Sequence, residues 1–189
     1  MPEPHSSPRT TVRAGYDAIA EAYLAWGSRV VGDPRERFVD DLAARLPDGA
    51  RVLDLGCGAG VPSTRRLAER FDVVGVDVSA RQIELARVNV PGTTFICADL
   101  TDLQFEEGTF AAVTALYSVS HVPRAEHGVL FGRIASWLAP GGLFPRVARQ
   151  PGQPRLDRRV ARCADVLQQL RRPHKPWTRR RCRPRAGPC

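Results

Sequence analysis

The segment RVLDLGCGAG, residues 51–60, combines a carboxylate with a run of flexible residues. Its apolar stretch contains Asp54, and glycines follow at alternate positions, Gly56, Gly58 and Gly60. Glycine at a turn from strand to helix lets bare backbone approach a ligand closely. The dinucleotide pattern is GxGxxG with a diphosphate at the helix N-terminus, whereas the spacing here is GxGxG. Because a carboxylate beside that terminus would repel a diphosphate, the segment favours a ligand with an ammonium group or hydroxyls.

Two more aspartates end the next two apolar runs. Asp77 follows FDVVGV, and Asp99 follows TTFICA. A carboxylate at Asp77 can accept two hydrogen bonds from a ribose diol, and one at Asp99 can accept a bond from the exocyclic amine of adenine. One such residue alone would be interpreted as a helix cap. Together with Asp54, the acids at three adjacent strand ends predict a site for an adenosine that carries an amino acid.

The spacing of apolar residues predicts alternating helices and strands. A helix is expected over Thr11–Trp26, and Asp33 is expected to cap a second helix that begins at Pro34. The further predicted elements are strand 51–55, helix 61–70, strand 71–77, a helix capped by Ser79, strand 93–100, strand 109–120, helix 123–138 and a fifth strand near 144. Strands that alternate with helices predict an α/β fold, a Rossmann-like open parallel sheet with helices on both faces.

The motifs VLDLGCGAG, VVGVDVS, FICADL and APGGLF resemble successive motifs of class I S-adenosylmethionine-dependent methyltransferases of the small bacterial type. The resemblance covers about Tyr16 to Phe144. It implies S-adenosyl-L-methionine as the cofactor, with the first motif at its methionine end, the acid of the second on its ribose and the third around its adenine. The cofactor-binding residues that it implies are Tyr16, Asp54, Gly56, Cys57, Gly58, Gly60, Asp77, Val78, Asp99 and Leu100.

Two aromatic residues and one histidine are further candidates. Tyr16 and Tyr23 match the N-terminal helix that closes over the cofactor in this family, although either tyrosine could equally pack in the core. His121 follows the fourth strand, where the family places substrate-facing residues, and could act as the general base that deprotonates the acceptor. The alternative is that His121 only packs where the chain enters the next helix. The motif NPPY of amino-methylating nucleic-acid enzymes is absent from the sequence, which favours a small-molecule acceptor.

The basic residues are concentrated at the C-terminus. Residues 1–144 hold 14 Arg against 18 Asp and Glu, whereas residues 145–189 hold 14 Lys and Arg against 2 Asp. We therefore expect a lead-in over 1–10, a cofactor-binding domain over 11–144 and an aberrant Arg/Pro-rich tail over 145–189. The tail lacks the last strands of the family fold, although RRVARCADVLQQLRR could form one amphipathic helix, and the fifth strand is expected to be an unpaired edge.

Three interpretations of the tail are open: a basic arm for nucleic acid, a disordered segment, or a frameshift. We favour the frameshift, near 144–145, because permitted codons for Pro154–Arg179 read one base later can give a segment that begins PDWTGEWLG. That segment is typical of this part of the family. Resequencing of the gene tests this hypothesis.

The composition bounds the other classes of function. The five cysteines form no CxxC pair, so a zinc site is not expected, and no run is long enough for a membrane span. The N-terminus does not resemble a signal peptide, so a cytoplasmic protein is expected. The leading hypothesis is methyl transfer to a small molecule. The alternatives are a non-catalytic binder of the cofactor, a nucleic-acid-binding protein that uses its tail, and a nicotinamide-dependent oxidoreductase.

Overall fold

A computed structural model describes residues 7–27, 29–147 and 160–162 of the 189-residue chain. The helices are α1 (Pro8–Gly27), α2 (Pro34–Ala43), α3 (Ser63–Ala68), α4 (Ala80–Asn89) and α5 (His127–Trp137). The strands are β1 (Arg51–Leu55), β2 (Asp72–Asp77), β3 (Thr94–Cys97), β4 (Phe110–Leu116), β5 (Leu138–Val147) and β6 (Val160–Arg162). Two 3₁₀ turns, Val119–His121 and Arg124–Glu126, connect β4 to α5.

The strands form one sheet in the order β3-β2-β1-β4-β5-β6. Strands β1 to β5 pair in parallel, and β6 pairs with β5 in the antiparallel sense. This confirms the predicted Rossmann-like sheet. The chain runs from β1 outward to β3 and then returns to the other side of β1 with β4, so the strand order reverses between β1 and β4. Ligands of such sheets bind outside the carboxyl ends of the strands at this point.

The core lies on both faces of the sheet because strand residues alternate between the faces. Leu53 and Leu55 of β1 belong to the larger cluster, which includes α5, whereas Val52 belongs to the cluster under α2 and α3. The two predicted caps are confirmed. The Asp33 carboxylate accepts a hydrogen bond from the Arg35 backbone N–H at the start of α2, and the Ser79 hydroxyl accepts one from the backbone N–H of Gln82 at the start of α4.

Several predicted element bounds were wrong. Helix α1 begins at Pro8, three residues before Thr11, so residues 8–10 do not belong to the expected lead-in. Ser7 lies just before this helix, and its hydroxyl accepts a hydrogen bond from the Thr10 backbone N–H. Helix α3 is shorter than 61–70, and a 3₁₀ turn replaces the first turn of the helix expected over 123–138.

The expectation that β5 is an unpaired edge strand was wrong, because β6 pairs with it. Three residues of the tail, Val160–Arg162, pair with Leu143–Pro145 and cover that edge of the fifth strand. These three residues contain no proline, so each can hydrogen-bond to a neighbouring strand, and they are extended rather than part of the expected amphipathic helix. The remainder of that helix and the other residues of the tail lie outside the described residues.

The structure contains no helix, within the part of the chain that it describes, with both the length and the apolar character required to cross a membrane.

Candidate functional site

The reversal in strand order brings Gly56 and Ser118 together. Gly56 follows β1 with φ 78°, and a Cβ at this position would lie less than 3.0 Å from the Cβ of Ser118. The Ser118 hydroxyl donates a hydrogen bond of 2.6 Å to the carbonyl oxygen of Leu55. Glycine is therefore required where the ends of β1 and β4 approach each other.

Two clefts adjoin this point. The first cleft, of about 550 Å³, is lined by Arg9, Val12, Tyr16, Gly56, Asp77, Val78, Asp99, Leu100, Thr101, Ser118, His121, Val122 and Pro123. The second cleft, of about 710 Å³, is lined by Tyr16, Tyr23, Leu24, Trp26, Gly27, Arg35, Gly56, Cys57, Gly58, Ala59, Val61, Gln82, Leu116, Tyr117, Ser118 and His121. Tyr16, Gly56, Ser118 and His121 line both clefts, so the clefts meet at the switch point.

Asp77 lies at the end of β2, and backbone donors hold both of its carboxylate oxygens. The N–H of Gly58 donates to one oxygen at 2.9 Å, and the N–H of Ser79 donates to the other at 3.0 Å. Burial raises the pKa of Asp77, while these two hydrogen bonds act in the opposite direction. A carboxylate has about four acceptor positions, so Asp77, which lines the first cleft, keeps capacity to accept a hydroxyl donor there.

Asp99 follows β3 and lies in the same cleft as Asp77. Thr101 donates two hydrogen bonds to one of its oxygens, from its backbone N–H at 2.8 Å and from its hydroxyl at 2.6 Å. Nε of Arg9 lies 3.7 Å from the other oxygen. Arg9 also pairs with Asp102 and Glu126, so the first turn of α1 is tied to the rim of the first cleft by charge.

Asp54 lines neither cleft. Its side chain is 3% exposed, and its oxygens accept hydrogen bonds of 2.7 Å from the hydroxyls of Thr64 and Thr114. Burial raises the pKa of Asp54, and the two hydroxyls oppose this effect. The structure therefore brings Asp77 and Asp99 together in one cleft and places Asp54 beneath the glycine turn.

The glycine turn offers few free donors. The N–H groups of Gly56 and Cys57 donate to Val76, and that of Gly60 donates to Cys57. The N–H of Gly58 is taken by Asp77, as described above. A diphosphate needs a set of free N–H groups at such a turn, so this geometry disfavours the dinucleotide interpretation.

Gly60 and Cys57 have local packing roles. Gly60 lines neither cleft, and a Cβ there would lie 2.9 Å from Val90, so glycine allows α4 to pack closely. Cys57 lines the second cleft, but its side chain also packs with Ile83 and Phe95 in a small apolar cluster. Burial raises the pKa of the Cys57 thiol well above its ordinary value, so the thiol stays protonated.

Comparisons with known proteins agree with this geometry. Residues 52–142 match the family described as "Methyltransferase domain". The chain is 38% identical over 117 residues to a trans-aconitate 2-methyltransferase of Variovorax paradoxus, and 33% identical over 149 residues to a 27-O-demethylrifamycin SV methyltransferase of Amycolatopsis mediterranei. The chain belongs to the class I S-adenosylmethionine-dependent methyltransferases. These alignments cover 59% and 68% of this chain and only 44% and 54% of the relatives, so this chain spans about half their length.

A solved structure supports the same family and its cofactor. An amino pentose methyltransferase from Micromonospora echinaspora, solved with S-adenosylmethionine bound, superposes with a TM-score of 0.59 at 29% identity. The match covers 69% of this chain and 56% of that one. The cofactor of the family is therefore S-adenosyl-L-methionine.

The residues of the two clefts fit this cofactor. Asp77 presents a carboxylate that can accept from a ribose hydroxyl, and the apolar residues Val78 and Leu100 line the same cleft beside Asp99. The second cleft begins at Gly56 and Gly58, where bare backbone leaves room for the methionine end of the cofactor. Among the described residues, no group of three or more His, Cys, Asp or Glu side chains could hold a metal ion.

Tyr16 and His121 lie against each other where the two clefts meet. The Tyr16 hydroxyl lies 3.0 Å from Nε2 of His121, and the two rings pack edge to face at 5.4 Å between centroids. Tyr23 packs against Tyr16 in the same manner at 5.7 Å and lines the second cleft. The candidate base His121 therefore lies beside both the first cleft and the second cleft.

Sequence reasoning missed several residues that line the clefts. Arg9 and Val12 line the first cleft with Tyr16, at the helical spacing of one face of α1, and that spacing could have revealed them. Ser118 was missed because no pattern in the sequence shows how closely β4 approaches Gly56. Gln82 of α4 was also missed, because only the folded structure shows that it lines the second cleft.

Proposed function

We propose that this methyltransferase transfers the methyl group of S-adenosylmethionine to a small molecule held in the second cleft. The transfer forms a bond from the acceptor's nucleophilic atom to the methyl carbon and breaks the bond from carbon to sulfur. Sulfur keeps the electron pair, and the acceptor's proton goes to a base. The single observation that carries the proposal is the meeting of the two clefts at Gly56, with Asp77 and Asp99 on the cofactor side.

His121 is the proposed general base. It lines both clefts, so its imidazole lies beside the place where a nucleophile in the second cleft would meet the methyl group of a cofactor that extends from the first cleft past Gly56. The Tyr16 hydroxyl holds Nε2 at 3.0 Å and orients the ring across the boundary between the clefts. The protein's task is to align nucleophile and methyl group and to take one proton.

The second cleft supports a small and partly aromatic acceptor. Tyr23, Trp26 and Tyr117 line it, together with Arg35, whose guanidinium is paired with the buried carboxylate of Asp33. Tyr117 adopts a φ of 70°, a left-handed conformation that costs a residue with a side chain about 1–2 kcal/mol. Such strain is concentrated at functional positions. The two relatives named above act on trans-aconitate and on a demethylrifamycin, which are also small molecules.

The test combines binding with turnover. Calorimetry should show binding of S-adenosylmethionine and S-adenosylhomocysteine, and a screen of small acceptors should release S-adenosylhomocysteine. In His121→Ala we expect turnover to fall by about 100-fold, within the range of general-base catalysis, with cofactor affinity retained. His127→Ala is the matched control, because Nε2 of His127 contacts the carbonyl oxygen of Val122 and that side chain lines neither cleft. Binding without turnover on any acceptor would favour the non-catalytic binder instead.

A further inference from the structure

Gln82 lies in the first turn of α4 and its side chain is buried. Only 1% of the residue is exposed, although an amide side chain is usually found at the surface. The side chain is directed toward the glycine turn, since Oε1 lies 3.7 Å from the position that a Cβ on Gly58 would occupy. Gln82 also lines the second cleft.

Neither polar atom of the Gln82 amide has a hydrogen-bond partner among the residues that the structure describes. A buried polar group without a partner costs about 1–3 kcal/mol, so a pair of such atoms calls for an explanation, and a ligand that completes them is one. The Ser63 hydroxyl is also buried and unpartnered within the described residues, but Ser63 lines neither cleft. Gln82 thus differs from a simple packing defect, because its unpartnered amide belongs to a residue that lines the second cleft.

We propose that Gln82 binds the amino-acid end of the cofactor, with Nε2 donating to the carboxylate and Oε1 accepting from the ammonium group. Asp77 and Asp99, the acids assigned to the nucleoside, line the first cleft, whereas Gln82 lines the second, together with Gly58. An amide presents one donor group and one acceptor, which matches a zwitterion that offers one of each. This inference rests on the proposed function for the identity of the ligand.

Calorimetry with two ligands isolates this contact. S-adenosylhomocysteine carries the amino-acid end, whereas adenosine lacks it. In Gln82→Leu and Gln82→Met we expect the Kd of S-adenosylhomocysteine to rise by about 10- to 100-fold, the equivalent of about 1.5–3 kcal/mol for bonds to charged groups. The Kd of adenosine should change less than twofold. Gln104→Leu is the matched control, because Gln104 is exposed and lines neither cleft.

Thermal unfolding of the ligand-free protein gives a second readout with the opposite sign. Because Leu and Met remove the unpartnered amide, both variants should have a higher Tm than the wild type without ligand and a smaller rise in Tm when S-adenosylhomocysteine is added. A residue with a merely structural role would lower Tm and leave the ratio of the two affinities unchanged.

Three results would overturn the assignment of Gln82. An equal loss of affinity for both ligands would place the contact on the nucleoside, and an unchanged affinity for S-adenosylhomocysteine would remove the contact altogether. A lower Tm in both variants would show that the amide is satisfied within the free protein. Failure of the proposed function looks different, since the wild type itself would then show no turnover on any acceptor, or would not bind S-adenosylhomocysteine at all.

Discussion

Replacement of Gly56 by alanine tests the close approach on which the two clefts depend. At φ 78°, a side chain costs about 1–2 kcal/mol, and the added Cβ would lie within 3.0 Å of Ser118, whose backbone and side chain must move. Overpacking of this kind costs about 1–3 kcal/mol more. Gly92→Ala is the matched control, since Gly92 has φ 85° with no atom within 4 Å of its would-be Cβ, so only the first cost applies. Chemical denaturation of both variants should show the larger loss at Gly56.

A double-mutant cycle with Ser118→Gly makes the test sharper. Ser118→Gly alone should lose about 1 kcal/mol because it removes the hydrogen bond to Leu55. Once the serine Cβ is gone, Gly56→Ala should cost little more than Gly92→Ala, which gives a favourable coupling of about 1–3 kcal/mol. Strict additivity, or a loss in Gly56→Ala no greater than in Gly92→Ala, would refute the claim that this contact requires glycine.

Three further predictions concern charged groups. Asp77→Asn should weaken the binding of S-adenosylhomocysteine by about 10-fold or more in calorimetry. The reason is that the amide NH2 of Asn would face one of the two backbone N–H groups that donate to the carboxylate in the wild type. Burial raises the pKa of Asp54 in the folded state, so the folded protein binds a proton at a higher pH than the unfolded chain does. As the pH is lowered toward the ordinary range of a carboxyl group, at about pH 4, the free energy of unfolding of the wild type should therefore rise relative to that of Asp54→Asn in urea titrations. Arg9→Gln should weaken the binding of S-adenosylhomocysteine by less than 10-fold, because the pairs of Arg9 with Asp99 and Glu126 are partly exposed. The loss of affinity should be smaller still at high salt, which screens these pairs.

The sheet and its caps could be predicted because their signals are local. The apolar runs before Asp77 and Asp99 fix two neighbouring parallel strands, and parallel strands end at the same edge of a sheet. Asp33 and Ser79 have the residue types that helix N-termini favour. These positions follow from the sequence without knowledge of any tertiary contact.

The remaining parts of the site depend on contacts that the sequence does not display. Arg9, in the first turn of α1, is held at the first cleft by charge pairs with residues that lie about 90 or more positions later in the chain. β6 is three residues in a segment whose composition gives no strand signal, and it pairs with the edge of β5. No sequence pattern singles out Gln82. It stands out only in the structure, where its buried amide has no hydrogen-bond partner among the described residues.

Asp54 shows how strand geometry decides what a motif residue can do. Side chains alternate along β1, so Asp54 shares a face with Val52, under α3, while Leu53 and Leu55 point to the opposite face. Thr64 reaches the carboxylate from α3, and so the first acid of the motif is held inside the protein. Its charge still acts on the site, because the proximity of Asp54 contributes to the raised pKa of Asp77. We therefore propose that Asp54 acts on a bound cation only through the electrostatic field beneath the glycine turn, and that Asp77 makes the contacts.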